Sequence, residues 1–174
     1  APDPFVPYAI AAVELAEEGG FEAVRLRDVA SHAGVALGTL YRRFRSKEDL
    51  LIAAMELETL DLERRLRQKP ARGDTELERV TAFFGTATRG LLRRPNLARA
   101  LVRAVASGDL ELARRVGEFH TRMERMIVSA LRGEGPVEGD AGHPSEVEQQ
   151  VADTLEHVWF ALLVLTGITV GGSV

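Results

Sequence analysis

The chain has 174 residues, of which 45% are hydrophobic and 28% are charged, a composition typical of a globular protein and not of an intrinsically disordered one. It contains no cysteine, which excludes disulfides, thiolate metal sites and cysteine nucleophiles together. The formal net charge of -4 excludes a generally basic surface, so any affinity for nucleic acid must come from a local cluster of positive residues.

The longest apolar run covers residues 158–170, near the end of the chain. This run is shorter than the roughly 20 apolar residues of a membrane-spanning helix, so it predicts a buried helix instead. The first residues lack the charged segment and the apolar run of a secretory signal peptide. We therefore expect a cytoplasmic protein that has no membrane partner.

Apolar residues recur three and four positions apart through most of the chain, and the alternation typical of strands is nearly absent. This pattern predicts an all-α fold of seven to nine helices. We predict short helices over residues 7–18, 26–33 and 36–44, then a long helix that begins after the capping residue Ser46 and ends near residue 68. The first three are much shorter than the later ones, which predicts a small N-terminal head on a larger helical body.

A linker with the sequence KPARGD follows the long helix at residues 69–74. Beyond this linker we predict helices over residues 75–94, 96–106 and 110–132. A glycine-rich loop over residues 133–144 comes before the last helix. The start of that helix has the spacing of a capping box at Ser145 and Glu148.

The two short helices over residues 26–33 and 36–44 are joined by only a few residues around Gly34. Neither can bury a full face alone, so they must cross steeply and share a core with the first helix. Gly34 stands where the chain must turn sharply with a positive φ, which glycine adopts without strain. This is the plan of a helix-turn-helix, whose second helix enters the major groove of DNA. The expected core residues are Phe21, Val29, Ala30, Val35, Leu40 and Phe44.

The outer face of this segment carries a concentrated positive charge. Asp28 is the single acid between residues 25 and 47, so the local charge is +5. Basic side chains neutralise DNA phosphates and release their counterions, and nearby hydroxyls can bond phosphate oxygens. A glycine lets the helix backbone approach the duplex, and an aliphatic residue can contact a thymine methyl. The basic residues are Arg25, Arg27, Arg42, Arg43, Arg45 and Lys47, and the hydroxyls belong to Thr39 and Tyr41. The glycine is Gly38 and the aliphatic residue is Leu37.

Two other classes of protein compete with a DNA-binding regulator. A charged run is usually a solvated surface, so a helical scaffold or binding protein is one alternative. An enzyme is the second, but the sequence has no Gly-x-Ser-x-Gly, P-loop, Gly-x-Gly-x-x-Gly or His-Glu-x-x-His motif, and no Glu-x-x-His pair of a di-iron bundle. We therefore expect no catalytic residue, no metal site and no cofactor.

The segment over residues 26–51, LRDVASHAGVALGTLYRRFRSKEDLL, resembles the DNA-binding signature of the TetR family of transcriptional repressors. The resemblance extends back to about residue 11. It implies a three-helix DNA-binding head, a divergent helical ligand-binding body, and a homodimer on a palindromic operator. It implies contacts to bases from Arg27, Leu37, Gly38 and Tyr41, and contacts to phosphates from Thr39, Tyr41, Arg43 and Lys47. With Arg42 from the basic cluster, the predicted DNA-binding set is Arg27, Leu37, Gly38, Thr39, Tyr41, Arg42, Arg43 and Lys47.

The sequence departs from the family pattern in this head. Arg25 stands where a capping Ser or Thr is usual, Ala36 stands where Ser is frequent, and the basic arm that commonly precedes the first helix is missing. The EGGFEAV sequence at residues 18–24 is similar to the branch that represses sterol or lipid catabolism in actinobacteria. We predict a DNA-binding domain over residues 1–47 and a ligand-binding and dimerisation domain over residues 48–174. The sequence leaves open whether the chain represses or activates transcription.

The resemblance implies an apolar pocket for a small, largely apolar effector in the body; aromatic and aliphatic residues at helical spacing are its candidate lining, with ordinary core packing as the alternative. The predicted lining residues are Phe83, Phe84, Leu91, Leu101, Phe119, Met123, Met126, Trp159 and Leu163. His120, Arg122 and His157 are the candidates to orient a polar head group. The last helix is apolar on more than one side, and the resemblance implies that it forms the dimer interface. The residues of this pattern are Val147, Val151, Leu155, Val158, Trp159, Leu162, Leu163 and Leu165.

Overall fold

The computed structural model describes residues 5–107, 110, 112–136 and 143–167. Within these ranges the chain forms eight α-helices and no strand, which confirms the all-α prediction. The helices are α1 (Val6–Ala23), α2 (Leu26–His32), α3 (Leu37–Tyr41), α4 (Lys47–Gln68), α5 (Glu76–Leu92), α6 (Pro95–Val105), α7 (Ala113–Arg132) and α8 (Glu146–Gly167). None of these helices is both long and apolar enough to cross a membrane.

Side-chain caps fix the starts of three helices. The backbone N–H of Asp49 donates to the Ser46 hydroxyl at 3.2 Å, which confirms Ser46 as the cap of α4. The Ser145 hydroxyl accepts from the backbone N–H of Glu148 at 3.3 Å, and the Glu148 carboxylate accepts from the backbone N–H of Ser145 at 2.8 Å. The predicted capping box is therefore present at α8, and a further capping box at Thr75 begins α5.

Several boundaries differ from the sequence prediction. The predicted helix over residues 36–44 is shorter and ends at Tyr41; in the turn that follows, the backbone N–H groups of Arg43 and Phe44 both donate to the Leu40 carbonyl at 2.9 Å. The helix predicted from residue 110 begins only at Ala113. The backbone of α1 leaves helical geometry at Gly19, close to its predicted end, but the helix resumes and runs to Ala23. Parts of the predicted loop over 133–144 and of the apolar run over 158–170 lie outside the described residues.

The described residues form two compact units, one of residues 5–58 and 94–116 and the other of residues 59–93 and 117–167. In the first unit, α1, α2 and α3 share a small core in which Val29, Leu40 and Phe44 are fully buried. The Phe44 ring meets the rings of Phe5 and Tyr8 edge to face, with centroids 5.9 and 5.8 Å away. Burial stabilises each such side chain by about 1.5–3 kcal/mol. The predicted core residues Phe21 and Ala30 are also buried, and Val35 is half-buried.

The first unit also contains α6, which comes from a later part of the chain. Helix α6 packs along α1, and the Asn96 side chain donates to the Glu17 carbonyl at 2.9 Å. Small hydrophobic residues of α1, such as Ala12 and Ala16, are fully buried. Alanine adds little bulk, which favours close approach where helices pack.

The second unit has its own core, contributed by the later part of α4 and by α5, α7 and α8. Phe83, Met123 and Ile127 lie at its centre and are at most 2% exposed. The Arg79 guanidinium donates to the carbonyls of Ala130 and Leu131, at 3.0 and 2.5 Å, and so satisfies carbonyls at the C-terminal end of α7.

Candidate nucleic-acid interface

The α2–turn–α3 segment has the geometry of a helix-turn-helix. Gly34 has φ of 67° between the two helices, as predicted for a sharp turn. Leu40 is the fully buried residue of α3, so the opposite side of this short helix faces solvent. Tyr41 is 58% exposed there, and a Cβ atom added at Gly38 would meet nothing within 4 Å. The backbone of α3 is therefore accessible to a large ligand on this face.

Positive charge and hydroxyl groups meet at a shallow depression at the end of α3. Phe5, Thr39, Arg42 and Arg43 line this depression. The Arg42 guanidinium donates to the Thr39 hydroxyl at 3.1 Å, and the Arg43 guanidinium carbon lies 4.9 Å from the centre of the Phe5 ring. Two guanidinium groups beside a hydroxyl suit an anionic oxygen such as that of a phosphate.

The remaining members of the predicted DNA-binding set lie on the same unit. Arg27 is exposed on α2, and Leu37 is half-buried at the start of α3. Neither α2 nor α3 has a side-chain cap, because Arg25 and Ala36 occupy the capping positions. The backbone N–H groups at these helix starts therefore have no side-chain partner at the cap.

Lys47 differs from the expectation of a lysine that is open to phosphate. Its Nζ atom lies 3.0 Å from the Glu22 Oε2 atom and 4.0 Å from the centre of the Phe21 ring. The Lys47 side chain is 28% exposed. A hydrogen bond from Lys47 and its positive charge lower the pKa of Glu22 below its ordinary value, with a smaller contribution from Arg103.

A partly buried ion cluster holds the first turns of α4. The Arg115 guanidinium donates to both carboxylate oxygens of Glu56 at 2.9 Å, and also to the Asp49 carboxylate. The other Asp49 oxygen accepts the backbone N–H of Arg45 at 3.2 Å. Burial opposes the charge on Arg115, but the hydrogen bonds and charges of the two carboxylates prevail and raise its pKa. Sequence reasoning missed this cluster, because Arg115 is more than 50 residues from its partners.

The second unit contains eight of the nine predicted ligand-lining residues. Phe83, Met123 and Met126 are buried in its core, and the other five are partly buried beside it or on the same helices: Phe84, Leu91, Phe119, Trp159 and Leu163. The ninth, Leu101, is buried in the first unit on α6. Leu101 therefore belongs to a different unit from the other eight residues.

Trp159 has both an aromatic and a polar contact in this unit. Its ring centroid lies 5.6 Å from that of Phe84, and its indole N–H donates to the Thr88 hydroxyl at 2.9 Å. The hydrogen bond satisfies the polar atom of a large side chain among apolar ones. It also joins α5 to α8 within the unit.

A polar cluster joins α7 and α8 near the same core. Glu156 is fully buried, and both of its carboxylate oxygens lie within 2.9 Å of His120 Nδ1. The ring of His157 stacks on that of His120, with centroids 5.6 Å apart. A hydrogen bond from His157 Nδ1 to the Asp153 carbonyl at 2.8 Å, together with nearby carboxylates, raises the pKa of His157. Burial, and next the charges of Asp153 and Glu156, raises the pKa of Glu124.

Sequence reasoning singled out His120 and His157 but missed Glu156. Glu156 could have been identified from its position, because it lies between the apolar residues Ala152 and Trp159 at helical spacing, on the side of α8 that faces the core. Arg122, the third candidate for a polar head group, pairs with Glu63 at 2.7 Å instead. Within the described ranges no group of three or more potential ligands could hold a metal ion.

Helix α8 has an exposed apolar stripe that lies beside its buried side. The residues predicted on this helix divide into two groups: Leu155, Trp159 and Leu163 are partly buried, whereas Val147, Val151, Val158, Leu162 and Leu165 are 39–69% exposed. Their spacing of mostly three, four and seven residues places the exposed members on one side of the helix.

Comparisons with known proteins agree with these features. A family described as "Bacterial regulatory proteins, tetR family" matches residues 10–54, and a family described as "Tetracyclin repressor-like, C-terminal domain" matches residues 73–167. The first match contains α2 and α3 whole. The second contains α5 to α8, which between them carry every predicted ligand-lining residue.

Curated relatives lead to the same family. The HTH-type transcriptional repressor KstR of Rhodococcus jostii is 35% identical over 88% of this chain and 68% of its own length. KstR of Mycobacterium tuberculosis is 31% identical over 88% of this chain and 66% of its own length, so the chain spans about two thirds of these relatives. A solved structure of a TetR transcriptional regulator from Rhodococcus sp. RHA1 is 28% identical to this chain, with a TM-score of 0.78. The match covers 95% of this chain and 86% of the chain in that structure.

These matches span both units and confirm the predicted resemblance. The family consists of transcriptional regulators rather than enzymes, which also confirms the prediction against catalysis. The chain belongs to the TetR family of bacterial regulatory proteins.

Proposed function

We propose that this chain is a repressor that binds a palindromic DNA operator as a homodimer and leaves it when a small, largely apolar effector binds. The observation that carries this proposal is the outer face of α3, where an exposed tyrosine, an open glycine and two arginines lie together on a helix-turn-helix. The two KstR relatives are transcriptional repressors by name, which favours repression over activation.

The roles of individual residues follow from their positions on this face. Leu37 and Gly38, at the start of α3, are placed to meet base edges, because the N-terminal end of a recognition helix enters the groove first. Arg27 and Tyr41 would add contacts to bases. Thr39, Arg42, Arg43 and Lys47 would bind the phosphates on either side of the groove. The proposed DNA-binding domain covers residues 1–47.

The effector would bind in the domain over residues 48–174. Its proposed lining is the part of the predicted set that lies in the second unit, namely Phe83, Phe84, Leu91, Phe119, Met123, Met126, Trp159 and Leu163. The aromatic contacts around Trp159 favour a flat or elongated apolar molecule, and the similarity of the head to repressors of sterol and lipid catabolism points to the same chemistry. The His120–Glu156 pair is a polar group beside this core and would bind a hydroxyl or similar group on the effector.

The homodimer would form through the exposed stripe of α8. Val147, Val151 and Val158 expose between 39% and 69% of their surface, and a helix with apolar residues on two sides gains stability by packing against a second subunit. A two-fold dimer places two recognition helices roughly 34–36 Å apart, the spacing of successive major grooves, and so reads a palindrome. Such a regulator would act in the cytoplasm, where bacterial DNA is.

Gel retardation with a pool of genomic fragments tests DNA binding, and fluorescence anisotropy on a selected fragment then gives affinities. We expect Arg43→Ala to weaken binding and to reduce the slope of log K against log salt by about 1, as expected when one phosphate contact is lost. We expect Tyr41→Phe to weaken binding several-fold through loss of one hydroxyl. The control is Arg125→Ala, which removes an exposed arginine on α7 in the other unit. If Arg43→Ala and Arg125→Ala bind DNA equally well, the proposed interface is wrong.

Sedimentation equilibrium tests the dimer. A charge introduced by Val158→Glu in the middle of the stripe would be buried in the interface, so we expect dissociation into monomers. Gln149→Glu adds the same charge at another exposed position of α8 and serves as the control. A Val158→Glu variant that stays dimeric would place the interface elsewhere.

A further inference from the structure

Two cations share one carboxylate and one aromatic ring at the C-terminal end of α1. Lys47 comes from the start of α4 and Arg103 from α6, and both lie in the first unit with α1. The Glu22 Oε2 atom is 3.0 Å from Lys47 Nζ, and its Oε1 atom is 3.0 Å from Arg103 Nη1. The Phe21 ring centre is 4.0 Å from Lys47 Nζ and also 4.0 Å from the Arg103 guanidinium carbon.

This arrangement holds the Lys47 side chain against the C-terminal end of α1. The ion pair with Glu22 and the cation–π contact with Phe21 both attract its ammonium group. Arg103 shares the same two partners, because it pairs with the other Glu22 oxygen and also lies over the Phe21 ring. Glu22 itself is 67% exposed, so an anion from solution can approach the group.

A DNA phosphate that binds Lys47 therefore has to compete with Glu22. The carboxylate and the phosphate are both anionic, so Glu22 repels the phosphate as well as holding the ammonium. When Lys47 turns to the phosphate, the Glu22 carboxylate still has Arg103 as a partner. The exchange therefore leaves the Glu22 carboxylate paired.

We propose that Glu22 is a positioning residue that holds Lys47 away from DNA and so limits DNA affinity, and that Arg103 on α6 weakens this hold by sharing the Glu22 carboxylate. The inference rests on the proposed DNA-binding function, in which Lys47 is a phosphate contact. It links Arg103 of α6, through Glu22, to Lys47 of α4, a proposed DNA contact. Neither Glu22 nor Arg103 belongs to the predicted DNA-binding set.

Opposite substitutions should move DNA affinity in opposite directions. The probe is a fluorescein-labelled 40-base-pair duplex of random sequence, titrated by anisotropy at about 0.1 M salt. We expect Glu22→Gln to raise affinity about two- to fivefold, the range expected for one exposed ion pair. We expect Arg103→Gln to lower affinity by a similar factor, because Glu22 then pairs with Lys47 alone. Glu18→Gln is the control, since it removes an exposed acid of the same helix.

The same substitutions in a Lys47→Ala background distinguish an effect on DNA affinity that acts through Lys47 from a general effect of net charge. A long-range charge effect would persist without Lys47, whereas an effect that acts through Lys47 disappears. Circular dichroism and thermal melting check that each variant is folded. The inference is overturned if Glu22→Gln leaves affinity unchanged or lowers it, or if its effect persists in the Lys47→Ala background.

A measurement without DNA distinguishes failure of this inference from failure of the proposed function. Lys47 and Lys69 are the two lysines of the chain, so mass spectrometry can compare their rates of acetylation. We expect Glu22→Gln to speed acetylation of Lys47 several-fold and to leave Lys69 unchanged. If the acetylation rate of Lys47 does not rise, Glu22 does not hold Lys47. The inference is then wrong, and the proposed DNA-binding function is unaffected. If Lys47 responds but no variant binds any duplex, the proposed DNA-binding function fails instead.

Discussion

Gly38 offers a substitution whose effects on stability and on DNA binding should have opposite signs. An alanine methyl at this position would meet nothing within 4 Å in the protein, and Gly38 does not have a positive φ. Alanine also reduces the entropy of the unfolded chain and favours helix, so Gly38→Ala should stabilise the fold by about 0.4–1 kcal/mol. For a chain of this size, that gain raises Tm by about 1–4 °C.

DNA binding should respond in the other direction. If the α3 backbone lies against the duplex, the added methyl group occupies the space of the base edges or the sugar, and the helix must move away. We expect at least a tenfold loss of affinity, which corresponds to about 1.4 kcal/mol. Weaker binding by a more stable protein cannot be explained by partial unfolding.

Gly34→Ala provides the matched control at the turn. An added Cβ there also meets nothing within 4 Å, but φ is 67°, so the variant should lose about 1–2 kcal/mol through backbone strain alone. Thermal melting followed by circular dichroism gives the stabilities, and anisotropy with an operator fragment gives the affinities well below Tm. If Gly38→Ala binds DNA as tightly as the parent chain, the α3 backbone does not approach the duplex and the reasoning is refuted.

Three further predictions concern stability. Arg115→Met leaves Asp49 and Glu56 without their partly buried partner and should cost about 2 kcal/mol in urea denaturation, between the values for surface and fully buried pairs; a cost near zero would contradict the ion cluster. Hydrogen bonds from Arg132 and then from the Ser145 backbone lower the pKa of Glu148 to about 2, so its contribution should be complete above about pH 4.5 and lost as the pH falls towards 2. The stability difference between the parent chain and Glu148→Gln should therefore shrink between pH 6 and pH 3, and a constant difference would exclude this linkage. Trp159→Phe removes an indole N–H bond and should cost about 1–2 kcal/mol by circular dichroism, whereas an unchanged midpoint would mean that the bond is unimportant.

The local features of the fold could be read from the sequence. Ser46 and Ser145 cap the helices as predicted, because a capping hydroxyl bonds to a backbone group only three residues away. Gly34 has the predicted positive φ for the same local reason. The basic cluster also follows from the sequence alone, since its members are close together in the chain.

Contacts between distant parts of the chain could not be predicted in this way. Arg103 reaches Glu22 only because α6 packs against α1, and nothing in either segment alone specifies that pairing. Leu101 has the same helical spacing and apolar character as the residues predicted to line the pocket, yet the packing of α6 puts it in the first unit. Lys47 was predicted as an open phosphate contact, because its partner Glu22 is 25 residues earlier in the chain.

The central claim is that the helix-turn-helix binds DNA. Hydrogen exchange measured by mass spectrometry tests it most directly, with and without a DNA fragment selected by gel retardation. If the helix-turn-helix is the DNA-binding surface, the fragment should slow exchange in peptides that cover residues 35–47, and peptides from α5 should change little. Protection of α5 or α7 with no change over residues 35–47 would contradict the account, because the bound DNA would then lie on a different surface.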